Sequence, residues 1–478
     1  MKSSKRLALA AALAGSLLAA AGTAHAAATI IINNINAAGV GFNDATVVAP
    51  IGGNTGTTLG QQRLIAFTYA ANLWGATLTS NVPIVINAQF SALTCTATTA
   101  VLGSAGATQI FRNFPNAPKA DTWYSYALAN KLAGVDVATT PAPQINANFN
   151  VNLGQANCLT GTFFYLGLDG NHGANTDFVA VLQHEMGHGL GFQTFTNGTT
   201  GAFNGGFPAI WDHYLFATAA GKTWKDATAA ERAASAISVT GLVWSGPMVT
   251  NAVPSVLRQG QAALLVSGAG AGSVAGQYTV GEASFGQPLN ANTPVSGQIM
   301  PILNQTAGAG NGCEPFDNNN QKAVGGRIAL IDRGVCGFVV KVKNAQNAGA
   351  IGVIIADNAA GAPPPGLGGS DPTITIPAVR ITLDDANRIK SALVTRSRTA
   401  SGVIGTLTAV GSQYAGADAL GRIMLYAPNP FQSGSSVSHY DVSAFRNQLM
   451  EPAINGDLTQ SVIPPQDLTF TLFQEIGW

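Results

Sequence analysis

His184-Glu185-Met186-Gly187-His188 is the stretch on which the reading of this chain turns. Two histidines four residues apart on a helix project from one flank, so both imidazoles can reach a single Zn²⁺. Glu185 lies about 100° around the helix from His184, placed to hold a metal-bound water and take its proton. With six histidines in 478 residues, such a pattern rarely arises by chance. Upstream, Thr176-Asp177 starts a helix on which Phe178, Val179, Leu182, Met186 and Leu190 form one apolar stripe. Both histidines sit off that stripe, so one side of the helix packs on a core and the other faces a cleft. Gly187, Gly189 and Gly191 are poor helix residues at this density, and the helix is expected to stop near Gly191.

A catalytic zinc takes three protein ligands and keeps one position open. The sequence follows the pattern HExxHxxGxxH through Gly191, but Thr194 stands where the third histidine belongs. Threonine is not a usual zinc donor, so the third ligand lies elsewhere. Candidates are His439, His213 in Trp211-Asp212-His213-Tyr214, Glu231, and His172 just ahead of the helix. His439 stands apart because Met450 follows eleven residues later, in Gln448-Leu449-Met450-Glu451-Pro452. His184–Phe192, the distant His439 and the Leu449-Met450-Glu451-Pro452 segment together resemble the leishmanolysin-type branch of the metzincins. In that branch an insertion displaces the third histidine of a zinc peptidase. The resemblance implies Zn²⁺ held by His184, His188 and His439, with Glu185 as general base and Met450 as a methionine turn beneath the metal. It also implies an α+β fold, a mixed sheet with an active-site helix.

The N-terminus carries its own signal. Lys2, Lys5 and Arg6 precede an apolar run from Leu7 to Ala21 and the small-residue site Ala24-His25-Ala26, so residues 1–26 read as a signal peptide. The expected location is secreted or periplasmic. No later run is long and apolar enough for a membrane span. Charged residues are only 10%, with 23 basic against 23 acidic, which leaves no electrostatic footprint for nucleic acid. Hydrophobic residues at 46% are ample for buried cores. Four cysteines, Cys95, Cys158, Cys313 and Cys336, fit two disulfides in an oxidising compartment, and sequence alone permits three pairings.

A mature chain of about 450 residues is too long for one compact domain. Residues 27–244 read as the first part of the catalytic domain, with a helix over Leu59–Trp74 and a strand over Val82–Ala88. A further strand is expected over Gly161–Gly167, as the edge of the cleft. Residues 245–411 change to an α/β pattern: strands at Arg327–Asp332, Ile351–Ala356 and Thr373–Ile381, a helix at Phe338–Ala348, and a last helix capped by Thr382 with Asp385. Residues 412–478 bring His439, Met450 and a short helix within Pro465–Trp478, and read as the second part of the catalytic domain. Gly312-Cys313-Glu314, the run from Gly326 to Phe338 with Cys336, Asn347-Ala348-Gly349-Ala350 and Ile376-Pro377-Ala378-Val379 resemble a protease-associated (PA) domain, including its cysteine pair. That resemblance implies a non-catalytic α/β module inserted in secreted peptidases, where it covers the cleft or binds substrate. With this division, Cys95–Cys158 and Cys313–Cys336 are the pairings that keep each bridge inside one domain.

The expected function is a secreted zinc-dependent endopeptidase acting on protein or peptide substrates. The alternative from another class is an exported PA-domain protein that binds peptides or glycans over a vestigial zinc site. The intact Glu185 speaks against it, because a structural zinc site needs no general base.

Overall fold

Ile84, Ile86, Ala88 and Phe90 are buried and alternate with more exposed neighbours along Ile84–Ser91 (β2), a period of two that lays one strand face on a core. The computed structural model describes residues 27–303, 310–361 and 364–478; the expected signal peptide at 1–26 lies outside the described residues. In it, β2 sits between Ile30–Asn34 (β1) and Ile145–Asn150 (β4), parallel to both. Gly103–Ala107 (β3) runs antiparallel to β4 and forms the edge of this four-stranded sheet. The helices Leu59–Thr77 (α1) and Phe178–Leu190 (α2) pack against the sheet and each other. Phe67, Phe90, Phe149 and Phe178 meet there, with ring centroids 5.3–5.6 Å apart. Such pairs contribute about 0.5–1.5 kcal/mol each beyond the area they bury.

The edge strand departs from expectation. The Gly161–Gly167 stretch yields only Phe164–Tyr165, paired with Thr176–Asp177. The edge is instead β3, Gly103-Ser104-Ala105-Gly106-Ala107, which has no β-branched residue to announce a strand. Its small residues let it lie close against α2: a Cβ built on Gly103 would come within 3.0 Å of the Glu185 side chain.

An eight-stranded sheet forms the second layer system. Its strands run in the order Gly276–Thr279, Gln259–Ser267, Ile404–Tyr414, Val295–Pro301, Ile328–Asp332, Gly352–Ala356, Ala378–Ile381 and Gly281–Glu282. Strands 295–301 through 378–381 are parallel, and apolar side chains of two separate clusters cover the sheet. Thr382 accepts from the Asp385 backbone at 3.1 Å and starts the helix Leu383–Ala392. The strand expected from Thr373 begins only at Ala378. Upstream, Thr375 N–H is taken at 2.6 Å by the Gln346 side chain, and the Thr373 hydroxyl by Asp371.

The chain then returns to its first core. Ile423, Leu425, Tyr440, Leu449, Met450 and Phe473 belong to the same apolar cluster as Phe67, Phe149 and Leu182. Val249 and Val253, on the helix Pro247–Val256, also belong to it, whereas Leu264 already lies in the second cluster. The structure joins Cys95 to Cys158 and Cys313 to Cys336, one bridge in each unit. The architecture is mixed α/β, and no helix among the described residues is long and apolar enough to cross a membrane.

Candidate metal centre

Helix α2 begins where Asp177 accepts from the Val179 backbone at 2.9 Å and ends at Leu190. Its last carbonyl is capped from outside, by the Ser125 hydroxyl at 3.1 Å and the Trp478 indole at 2.9 Å. The helix is buried throughout, and His184 and His188 project from adjacent turns. His439 arrives from a separate segment 251 residues beyond His188 and meets them. The His188 Nε2 lies 3.1 Å from the Nε2 of both His184 and His439, and those two lie 3.3 Å apart.

Each ring is fixed by its other nitrogen. Nδ1 of His184 donates to the Leu449 carbonyl at 2.7 Å, Nδ1 of His188 to Phe192 at 2.9 Å, and Nδ1 of His439 to Ser435 at 2.7 Å. A ring nitrogen facing a carbonyl must carry the proton, so all three Nε2 atoms present bare lone pairs to one point. Burial drives the His184 imidazole down to about 3, His188 to about 4, and His439 well below its usual value, which keeps the rings neutral. Three lone pairs packed this closely repel unless a cation sits between them. Zinc–nitrogen bonds of about 2.0–2.1 Å in tetrahedral geometry place ligand nitrogens about 3.3–3.4 Å apart, close to the separations here. The donor set fits zinc.

Glu185 lines the same cleft, and burial raises its carboxyl to about 8 against a backbone hydrogen bond from Ala105 of β3. Met450 is fully buried against α2 at Gly187, where an added Cβ would meet its sulfur at 2.7 Å. Only glycine permits that approach. The same turn reaches two of the three ligand segments: Leu449 supplies the carbonyl to the His184 ring, and Met450 O accepts from the Tyr440 backbone at 2.8 Å, next to His439.

Other candidates are engaged elsewhere. Thr194 donates to Asp212 at 2.7 Å and Thr196 to the other oxygen at 2.5 Å, so the slot after Gly191 orders a loop. His213 pairs through Nε2 with Thr122 at 3.1 Å. Glu231 closes a capping box with Thr228 and meets Lys222 at 2.9 Å. Nδ1 of His172 donates to the Asn175 carbonyl. Tyr440 is fully buried against Phe192 and does not line the cleft.

Sequence reasoning missed the acids behind the turn. Asp467 accepts from the Leu449 backbone at 2.6 Å, and Glu451 from Gln448 at 2.7 Å. Gln448 in turn accepts from Leu468 at 2.9 Å. Nothing in Pro464-Pro465-Gln466-Asp467 marks this role, since an aspartate after prolines reads as a turn residue.

Residues 295–389 match the PA domain family, so the chain carries a PA domain over about a fifth of its length. Among curated relatives, human ER degradation-enhancing alpha-mannosidase-like protein 3 is 41% identical over 17% of this chain and 8% of its own. The probable lipoprotein aminopeptidase LpqL of Mycobacterium tuberculosis is 37% identical over 19% of this chain and 18% of its own. The chain thus spans less than a fifth of the length of either relative. Among solved structures, the aminopeptidase from Aneurinibacillus sp. strain AM-1 is 24% identical, covering 33% of this chain and 32% of that one, at a TM-score of 0.24.

Proposed function

We propose that this protein is a secreted or periplasmic zinc-dependent endopeptidase of the leishmanolysin-like metzincin type, with a PA domain inserted before its third ligand. One observation carries the reading: three bare imidazole nitrogens converge beside a buried glutamate on a single open cleft. His184, His188 and His439 would hold the ion. Zinc there supplies Lewis acidity to a water and to the scissile carbonyl.

The chain's own groups do the rest. The carbonyls of Leu449, Phe192 and Ser435 orient the rings by holding the Nδ1 protons. A Glu185 Oε takes the proton of the attacking water and delivers it to the leaving nitrogen. The turn at Leu449-Met450 supports the metzincin assignment, because it braces the ring of His184 and the backbone next to His439. Two disulfides and a composition with only 10% charged residues fit export.

Metal analysis and casein hydrolysis on the purified chain test the proposal. One zinc per chain is expected, with hydrolysis of denatured casein lost on chelation and restored by zinc. Zinc bound with casein left intact would favour the exported binding protein instead.

A further inference from the structure

The cleft around the three histidines has a volume of about 1050 Å³, and its walls come from within 98–105, 193–199, 431–439 and 452–454, with Gly368 contributed by the PA domain. That volume admits several residues of an extended chain. Among the described residues lining it, Glu185 is the only carboxylate, and there is no aspartate, lysine or arginine. Residues 304–309 and 362–363, outside the described part, contain no charged residue either. The walls offer hydroxyls and two amides, as from Thr99, Ser433, Gln193 and Asn197, and apolar surface, as from Leu102 and Phe431.

We propose that the cleft selects chain-internal segments of uncharged residues, small, hydroxyl-bearing or aliphatic, and discriminates against charged side chains on both sides of the scissile bond. The proposal rests on the peptidase reading above. A charged side chain entering this cleft gives up water and finds no oppositely charged side chain on the walls other than Glu185, while the zinc is engaged by the water and the scissile carbonyl, so its binding is opposed by desolvation. A substrate cation can meet only Glu185, and pairing there occupies the carboxylate that must accept the water's proton. A free α-ammonium or α-carboxylate likewise finds no charged side chain on the walls beyond the catalytic Glu185 and the metal, so the described lining holds no separate pocket for a chain terminus. With 10% charged residues balanced to zero, the protein has no net charge to draw charged substrates in by long-range attraction.

The test uses the zinc-loaded full-length mature protein and fluorogenic peptides blocked at both ends, built from alanine, serine, threonine, leucine and valine. Lysine or glutamate is scanned through the three positions on each side of the cleaved bond. The blocked neutral peptide should be cleaved, and each charge near the bond should lower kcat/KM by about tenfold or more. The rate on the neutral peptide should hold steady as salt rises. Ser433→Asp, at an exposed position of the wall, should raise the ratio of lysine-peptide to neutral-peptide kcat/KM. Casein cleavage confined to sites flanked by charged residues, or a requirement for a free terminus, would overturn this inference and leave the peptidase reading standing. Failure to cleave casein and every peptide would overturn both.

Discussion

Asp357 in the PA domain lies between Arg333, at 2.8 Å, and Arg380, whose Nε donates at 2.8 Å, whereas Asp467 behind the turn at Leu449-Met450 accepts from the backbones of Leu449 at 2.6 Å and Thr469 at 2.7 Å. Burial pushes both carboxyls up. The paired guanidinium groups hold Asp357 below its ordinary value all the same, while Asp467 rises to about 6. In the PA domain this buried carboxylate is balanced by two guanidinium groups of the same unit. The turn behind the candidate metal centre uses backbone donors instead, and its Leu449 carbonyl in turn takes the ring proton of His184, 265 residues away. The first acid is thus neutralised inside its own unit, whereas the second supports a turn that reaches a residue distant in sequence.

The comparison is broken most severely at the site itself. Glu185→Gln should lower casein hydrolysis by about 10²–10⁴-fold while zinc stays bound, because the amide cannot accept a proton. Measured by turnover with zinc content, activity near wild type in a zinc-replete variant would end the general-base assignment. His439→Ala should weaken zinc binding by more than about 100-fold, since water must replace an imidazole. His213→Ala, a change at a ring held by Thr122, should leave affinity unaltered. Competition with a chromogenic chelator separates the two, and the reverse order of effects would move the third ligand.

How much of this is legible in the sequence also follows the division. The PA strands at Ile328–Asp332 and Gly352–Ala356 are short apolar runs between turn signals, and the helix Leu383–Ala392 opens on a capping threonine, so local pattern suffices. Helix α2 is legible for the same reason. That His439 sits beside His188 is a long-range fact no periodicity encodes; only the resemblance pointed to it. The edge strand β3 escapes because its glycines and alanines carry little strand propensity, and at Gly103 the close approach of the Glu185 side chain leaves little room for a Cβ. Asp467 and Asp212 escape because their partners are backbone groups and hydroxyls, which leave no mark in the sequence.

In the PA domain, Asp357→Ala should destabilise that unit by on the order of 3 kcal/mol, because Arg380, only 7% exposed, is left without its partner. Zinc affinity should change little, as the triad lies in the other core. Urea denaturation followed with zinc affinity reads both. Loss of zinc binding in the folded variant would show that the two units are coupled more tightly than their separate cores indicate.

The smallest effect sharpens the contrast between the two aspartates through pH. The folded state raises the Asp467 pKa from 3.8 to about 6, so it holds the proton more tightly than the unfolded chain does. Stability from this group is then fully present below the unfolded value, falls as pH rises from about 3.8 to about 6, and is flat beyond. Asp467→Asn removes that slope. It also disturbs the acceptors for Leu449 and Thr469, at a pH-independent cost of about 1–3 kcal/mol. The difference in Tm between wild type and variant should therefore be largest at pH 4 and shrink toward pH 6.5. A difference that grows over that range would mean that Asp467 is stabilised as a carboxylate, as Asp357 is, and the contrast between the two regions would disappear.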